Sequence, residues 1–166
     1  MRFTRFAICL GICVIGFLSV SLLAQDTGQV SFASAAGSKF ANLPGAPTCM
    51  TASVQRGDPS KGAAVMLLKF SSGCVVPWHW HTANEQLMIV SGRGKAEMKD
   101  EKTANLAAGD FLFLPSKHHH QFTCASTTCL LFDVTEAAFD IHYVDASGKE
   151  IPPEEALKAK AKTTKK

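Results

Sequence analysis

The sequence has no large charge of either sign. Its 166 residues carry 17 Lys and Arg against 14 Asp and Glu, and Lys158, Lys160, Lys162, Lys165 and Lys166 crowd into the extreme C-terminus. A near-neutral body without clustered basic side chains excludes a nucleic-acid groove. No amphipathic helical pattern separates the short apolar runs, which excludes an α/β fold with its alternating helices and strands. No arginine stands at an inward position where it would clamp a carboxylate. Apart from Glu85, no residue reads as a dedicated general acid or base.

What is present begins with a leader. Arg2 and Arg5 precede the apolar run Phe6 to Leu23, which ends at Ala24 before a polar stretch. A basic start, an apolar middle and a small residue at the end read as a signal peptide over 1–24, removed on export. The run also reaches spanning length, so a retained anchor is the alternative. Leu22 is a poor residue two places before a cut at Ala24, and Ser21 offers another cleavage point. On the signal reading the mature protein is exported, periplasmic or extracellular, with no stable membrane association. Four cysteines then remain in an oxidising compartment, Cys49, Cys74, Cys124 and Cys129. Four cysteines allow three pairings, and the sequence does not choose among them. Cys124 with Cys129, across a short turn, is the easiest geometrically and would leave Cys49 for Cys74. Buried free thiols are the alternative.

Residues 25–48 are rich in Ala, Gly, Ser and Pro without a period, and read as a flexible leader unless docked. Between Cys49 and Val144, runs of four to eight residues alternate with turn formers such as "RGDPSKG", "SSG", "TAN" and "GRG". That rhythm predicts an all-β sandwich or barrel. Residues 145–166 form a Lys-rich tail, with a short helix from about Pro153 because Glu154 and Glu155 precede the lysines and suit a helix dipole.

The chemistry concentrates in "HWHTANE". In extended chain His79 and His81 point one way and Trp80 the other, with the two histidines about 6.6 Å apart at a rise of about 3.3 Å per residue. If the strand opened by Glu85 pairs antiparallel with the histidine strand, the hairpin brings all three residues together as metal ligands. Downstream, "PSKHHHQF" turns into three histidines. His118 and His120 share a face and His119 takes the other, so His118 or His120 completes a set of three imidazoles and one carboxylate. Met66, Leu68, Leu87, Ile89 and Phe122 are expected to line an apolar pocket, with Phe111, Phe113 and Phe132 nearby. Asn84, Gln86 and Gln121 neighbour ligands in sequence, and either orient them or satisfy strand ends.

These spacings resemble the cupins. The family's first motif is glycine, five residues, histidine, one, histidine, three or four, glutamate, six, glycine; Gly73, His79, His81, Glu85 and Gly92 meet every interval. Its second is glycine, five, proline, one, glycine, two, histidine, three, asparagine. Gly109, Pro115 and His120 match, while Lys117 and Cys124 replace the usual glycine and asparagine. The likeness spans Cys49 to Val144. It implies an all-β, cupin-type jelly-roll β-barrel over 49–144, with the metal inside, and it selects His120 over His118. It also implies a homodimer, as such barrels often pair.

A site of His79, His81, Glu85 and His120 suits a divalent transition metal, whether Fe, Mn, Zn, Ni or Cu. Four protein ligands leave positions for water, dioxygen or a chelating small molecule. Two readings follow from different classes. One is a metal-dependent dioxygenase-like oxidoreductase acting on a small chelating substrate. The other is a non-catalytic, metal-dependent domain that binds or senses a small ligand.

Overall fold

The computed structural model describes residues 30–161, and the expected signal peptide lies outside that range, as do Lys162, Lys165 and Lys166. Among the described residues ten strands form: β1 (Met50–Gly57), β2 (Ala64–Ser71), β3 (Val75–Trp80), β4 (Glu85–Ser91), β5 (Arg93–Met98), β6 (Ala104–Ala107), β7 (Phe111–Leu114), β8 (His120–Cys124), β9 (Thr128–Thr135) and β10 (His142–Tyr143). One helix, α1 (Pro153–Ala161), follows. All pairings are antiparallel, in two five-stranded sheets ordered β1-β2-β9-β4-β7 and β10-β3-β8-β5-β6. This is the jelly-roll arrangement of a small barrel.

Period-two alternation fills the space between the sheets. Along β9, Cys129, Leu131, Asp133 and Thr135 are buried, while Leu130, Phe132 and Val134 take the outer face. Met66, Leu68 and Phe70 of β2 and Leu87 and Ile89 of β4 meet Val76, Ala96, Leu106 and Phe122 of the other sheet in one apolar core. Phe70 and Phe122 touch across it with ring centroids 5.0 Å apart. Phe111 and Phe113 were expected near the pocket and instead face outward, 58% and 46% exposed. The phase of β7 decides this: Leu112 and Leu114 stand opposite Leu87 and Glu85, so the phenylalanines between them take the outer face. Phe132 is likewise half-buried on the outside.

The segment before β1 docks where Ala41 and Ala52 exchange backbone hydrogen bonds of 2.9 and 2.8 Å. Tyr143 anchors it further by donating its hydroxyl to the Gly45 carbonyl at 2.9 Å. At the other end, Ala156 of α1 is buried and Leu157 packs on the core, so the helix rests on β3 and β10. Among the described residues no helix is long and apolar enough to cross a membrane.

Two disulfides form, Cys49 with Cys74 and Cys124 with Cys129. Each joins the first sheet to the second, and both lie at one end of the barrel, where the Cys124 amide donates to the Cys74 carbonyl at 2.9 Å. Gly92 turns at this same end with φ +86°; a Cβ there would meet the Thr128 carbonyl oxygen at 2.3 Å, so no other residue fits.

Loop-closure entropy ranks the two bonds. For loops set by separations of 25 and 5 residues, restricting the unfolded chain contributes about 3.5 and about 2 kcal/mol respectively. Denaturant unfolding without reductant should therefore show Cys49→Ser/Cys74→Ser losing more stability than Cys124→Ser/Cys129→Ser. Equal losses would contradict the ranking.

Candidate metal centre

The barrel end opposite the disulfides gathers the histidines. Val76 and His79 have opposite parity along β3, yet both are buried. A bulge reconciles them: Val76 pairs with Phe122 and His79 with His120, so three steps on β3 match two on β8. Pro77, which lacks an N–H for the ladder, sits in this bulge. The extra residue returns His79, and with it His81, to the inner face. Trp80 faces away and stacks on His142, with centroids 3.9 Å apart and planes 5° from parallel.

The structure corrects the expected hairpin. β3 pairs with β8 and β10, and β4 with β7 and β9, so the two strands belong to different sheets. Both edges of each strand are occupied by these partners, and residues 82–84 form a corner between sheets instead of a hairpin turn. Asn84 fixes that corner by accepting from the Ser116 amide at 2.8 Å, while Ser116 donates its hydroxyl to the Thr82 carbonyl at 2.7 Å. The Lys117 amide donates to the His81 carbonyl at 2.8 Å. Lys117 itself has φ 61°, the left-handed conformation in which glycine is the residue without strain. Glu85 thus reaches the histidines from the facing sheet.

His79, His81 and His120 are all buried, and one nitrogen from each ring lies within 4.8 Å of the others. Two nitrogens on opposite sides of one ion, each at ~2.1 Å, are separated by ~4.2 Å, so small ring movements suffice to share an ion. Each ring commits Nδ1 to a backbone carbonyl. His79 donates to Pro77 at 2.6 Å, His120 to His118 at 2.9 Å, and His81 to Asp140. A carbonyl only accepts, so the Nδ1 proton is fixed there and Nε2 of the neutral ring keeps its lone pair. Glu85 Oε2 faces two such nitrogens, 3.7 Å from His81 Nε2 and 3.4 Å from His120 Nε2, and has no hydrogen-bond partner. With the rings neutral these are acceptors converging on one buried space, an arrangement that favours a cation between them, a ring proton or a metal ion.

Burial is the main force lowering the His79 pKa well below the ordinary imidazole range, with His120 and His81 adding to it. Its ring is therefore neutral and ligand-ready. Burial opposes the charge of Glu85, but the adjacent His81 and His120 outweigh it and hold the carboxyl below its ordinary value. His118 contributes only its carbonyl, and His119 faces out beside Lys99 and Gly148. Asn84 and Gln86 donate to Glu136, and Gln121 to Glu97, so their amide groups are spent on carboxylates rather than on the ligand rings.

A cavity of about 30 Å³ adjoins the cluster, lined by apolar side chains, the three histidines, Glu85 and Asp133. That is room for about two waters. Asp133 was not among the expected site residues, because "CLLFDVT" reads as an apolar strand; its inward phase beside Leu131 was the available signal. Burial raises its pKa well above the carboxylate range, and the Glu85 charge raises it further.

Comparison with known proteins agrees with this geometry. Residues 66–135 match the family model described as a cupin domain. Among solved structures, the polyketide cyclase RemF from Streptomyces resistomycificus superposes with a TM-score of 0.60 at 18% identity, over 78% of this chain and 99% of that one. KdgF from Halomonas sp. gives 0.56 at 18% identity, over 65% and 94%. The DMSP lyase DddQ from Ruegeria pomeroyi DSS-3 gives 0.53 at 17% identity, over 70% of this chain and 61% of that one. At such identities the likeness is one of fold. No curated protein matches the sequence.

The neutral His79 makes a pH prediction for metal-free protein. Its folded pKa lies below the unfolded value of 6.5, so its contribution is present above pH 6.5 and is lost as pH falls. Relative to His79→Gln, the wild type should lose about 1.4 kcal/mol per pH unit below that point. Urea midpoints of both proteins between pH 7.5 and 5.5 measure it; parallel curves would mean that His79 is not buried neutral.

Proposed function

We propose, on the footing of the cupin-domain match over residues 66–135, that the chain is a cupin and a metal-dependent oxidoreductase of dioxygenase type acting on a small chelating molecule. His79, His81, Glu85 and His120 hold a divalent transition metal. The observation that carries the metal is the convergence of Glu85 Oε2 on imidazole nitrogens whose lone pairs are left free by the Nδ1 bonds.

When bound, a redox-active ion such as iron or manganese supplies dioxygen chemistry, whereas zinc supplies only polarisation. The chain's own part is to fix the three rings through backbone carbonyls, to balance the ion's charge with one carboxylate, and to keep water out with apolar walls. Phe139 and Ile141 are the half-buried members of the lining, so access runs past them. Neighbours of this fold named as a polyketide cyclase and a DMSP lyase support a small-molecule substrate. The two disulfides support export into an oxidising compartment.

The apolar walls favour a second reading, metal-dependent small-ligand binding without turnover. Beyond the four ligands only Asp133 on the lining carries an ionisable group.

Metal analysis of the exported protein, with oxygen uptake on catechols and flavonols, separates the two. Bound iron or manganese with substrate-dependent uptake is expected. Stoichiometric zinc without turnover would end the oxygenase reading. His120→Ala should lower metal affinity about tenfold or more, whereas His119→Ala should leave it unchanged. Equal effects would overturn the ligand assignment.

A further inference from the structure

Asp133 lies on the inner face of β9, is fully buried, and has no hydrogen-bond partner at either carboxyl oxygen. Its cross-strand neighbours are Met66 on β2 and Leu87 on β4, which offer nothing polar. Two residues on, buried Thr135 sits opposite Glu85, and its hydroxyl also lacks a partner. Buried polar groups in folded proteins are almost always paired, so an unpaired carboxyl in an apolar wall is a standing loss of stability. It lines the cavity that His79, His81, Glu85 and His120 also line. An acceptor aimed into such a cavity is satisfied by what enters it.

We infer that Asp133 is the specificity-determining residue of this cavity, and that its carboxyl accepts a hydrogen bond from a hydroxyl group on the small molecule held at the metal. This rests on the metal-dependent reading above and adds the class of ligand: a small oxygen chelator carrying a further hydroxyl. The cavity of about 30 Å³ has room for a hydroxyl-sized group but not for a ring. The body of the molecule then lies toward Phe139 and Ile141, where the lining reaches solvent. A carboxyl oxygen accepts from an O–H whether or not the group is ionised, so this selectivity does not depend on its protonation state.

Racemic glycerate and lactate are the probes, because both chelate through a carboxylate and an α-hydroxyl and differ by one hydroxyl. Cobalt-loaded full chain is titrated with each, and binding is read in the visible absorption of the ion. The wild type should favour glycerate by about tenfold or more, as sites built around a hydroxyl reject the analogue lacking it. Asp133→Asn keeps an acceptor oxygen and should keep the preference; Asp133→Leu should reduce the ratio to about one with cobalt content at the wild-type level. Metal-free Asp133→Leu should unfold at higher denaturant than wild type, since an unpaired polar group has been removed. No glycerate preference in the wild type, a preference that survives in Asp133→Leu, or a destabilised Asp133→Leu would overturn the inference while leaving the metal reading intact. A cobalt spectrum that responds to neither acid would sink the open metal site itself, and this inference with it.

Discussion

Everything at the working end of this barrel depends on one arrangement, four hydrogen-bond acceptors turned toward the same buried space. Imidazoles are free to present either nitrogen, and which one they present is settled by backbone carbonyls. His79 and His120 each donate Nδ1 to the carbonyl two residues upstream, Pro77 on β3 and His118 in the turn before β8, and His81 to that of Asp140 on the loop before β10. Once those protons are committed, the remaining nitrogens and Glu85 Oε2 have only each other to face. In the low dielectric of the interior such a cluster is costly without a cation, and with one it is a preformed coordination site.

The rest of the fold serves to hold that cluster in place. Both disulfides and the Gly92 turn lie at one end, where they fasten the two sheets together. Among the described residues the metal end has no disulfide. There the sheets are connected by the Thr82 to Asn84 corner and the Ser116 turn, which brace one another through side-chain and backbone hydrogen bonds. Placing the site at the end without cross-links leaves a way in past Phe139 and Ile141, while the fastened end carries the closure of the barrel.

Asp133 sharpens the same division. Natural folds keep groups that cost stability where those groups do something for binding or chemistry. Leucine at this position would fill the wall and leave nothing unpaired. A carboxyl there makes sense as the polar contact of an otherwise apolar chamber beside the ion.

Much of this was legible in the linear chain. Strand rhythm predicted the barrel, and the strand expected to open at Glu85 does so. The intervals among Gly73, His79, His81, Glu85 and Gly92 resembled the cupins and so implied a metal, and alternation put His79 and His81 on one face, because it is local and needs only neighbours along the chain. Three things were settled by tertiary structure alone. The Pro77 bulge sets which face His79 takes relative to Val76, and it exists only through pairing with β8. Glu85 approaches from the opposite sheet, since sheet membership is decided by strands tens of residues away. The isolation of Asp133 depends on Met66 and Leu87, brought beside it from distant parts of the sequence. Local periodicity fixes which way a side chain points, but only long-range pairing fixes what it points at.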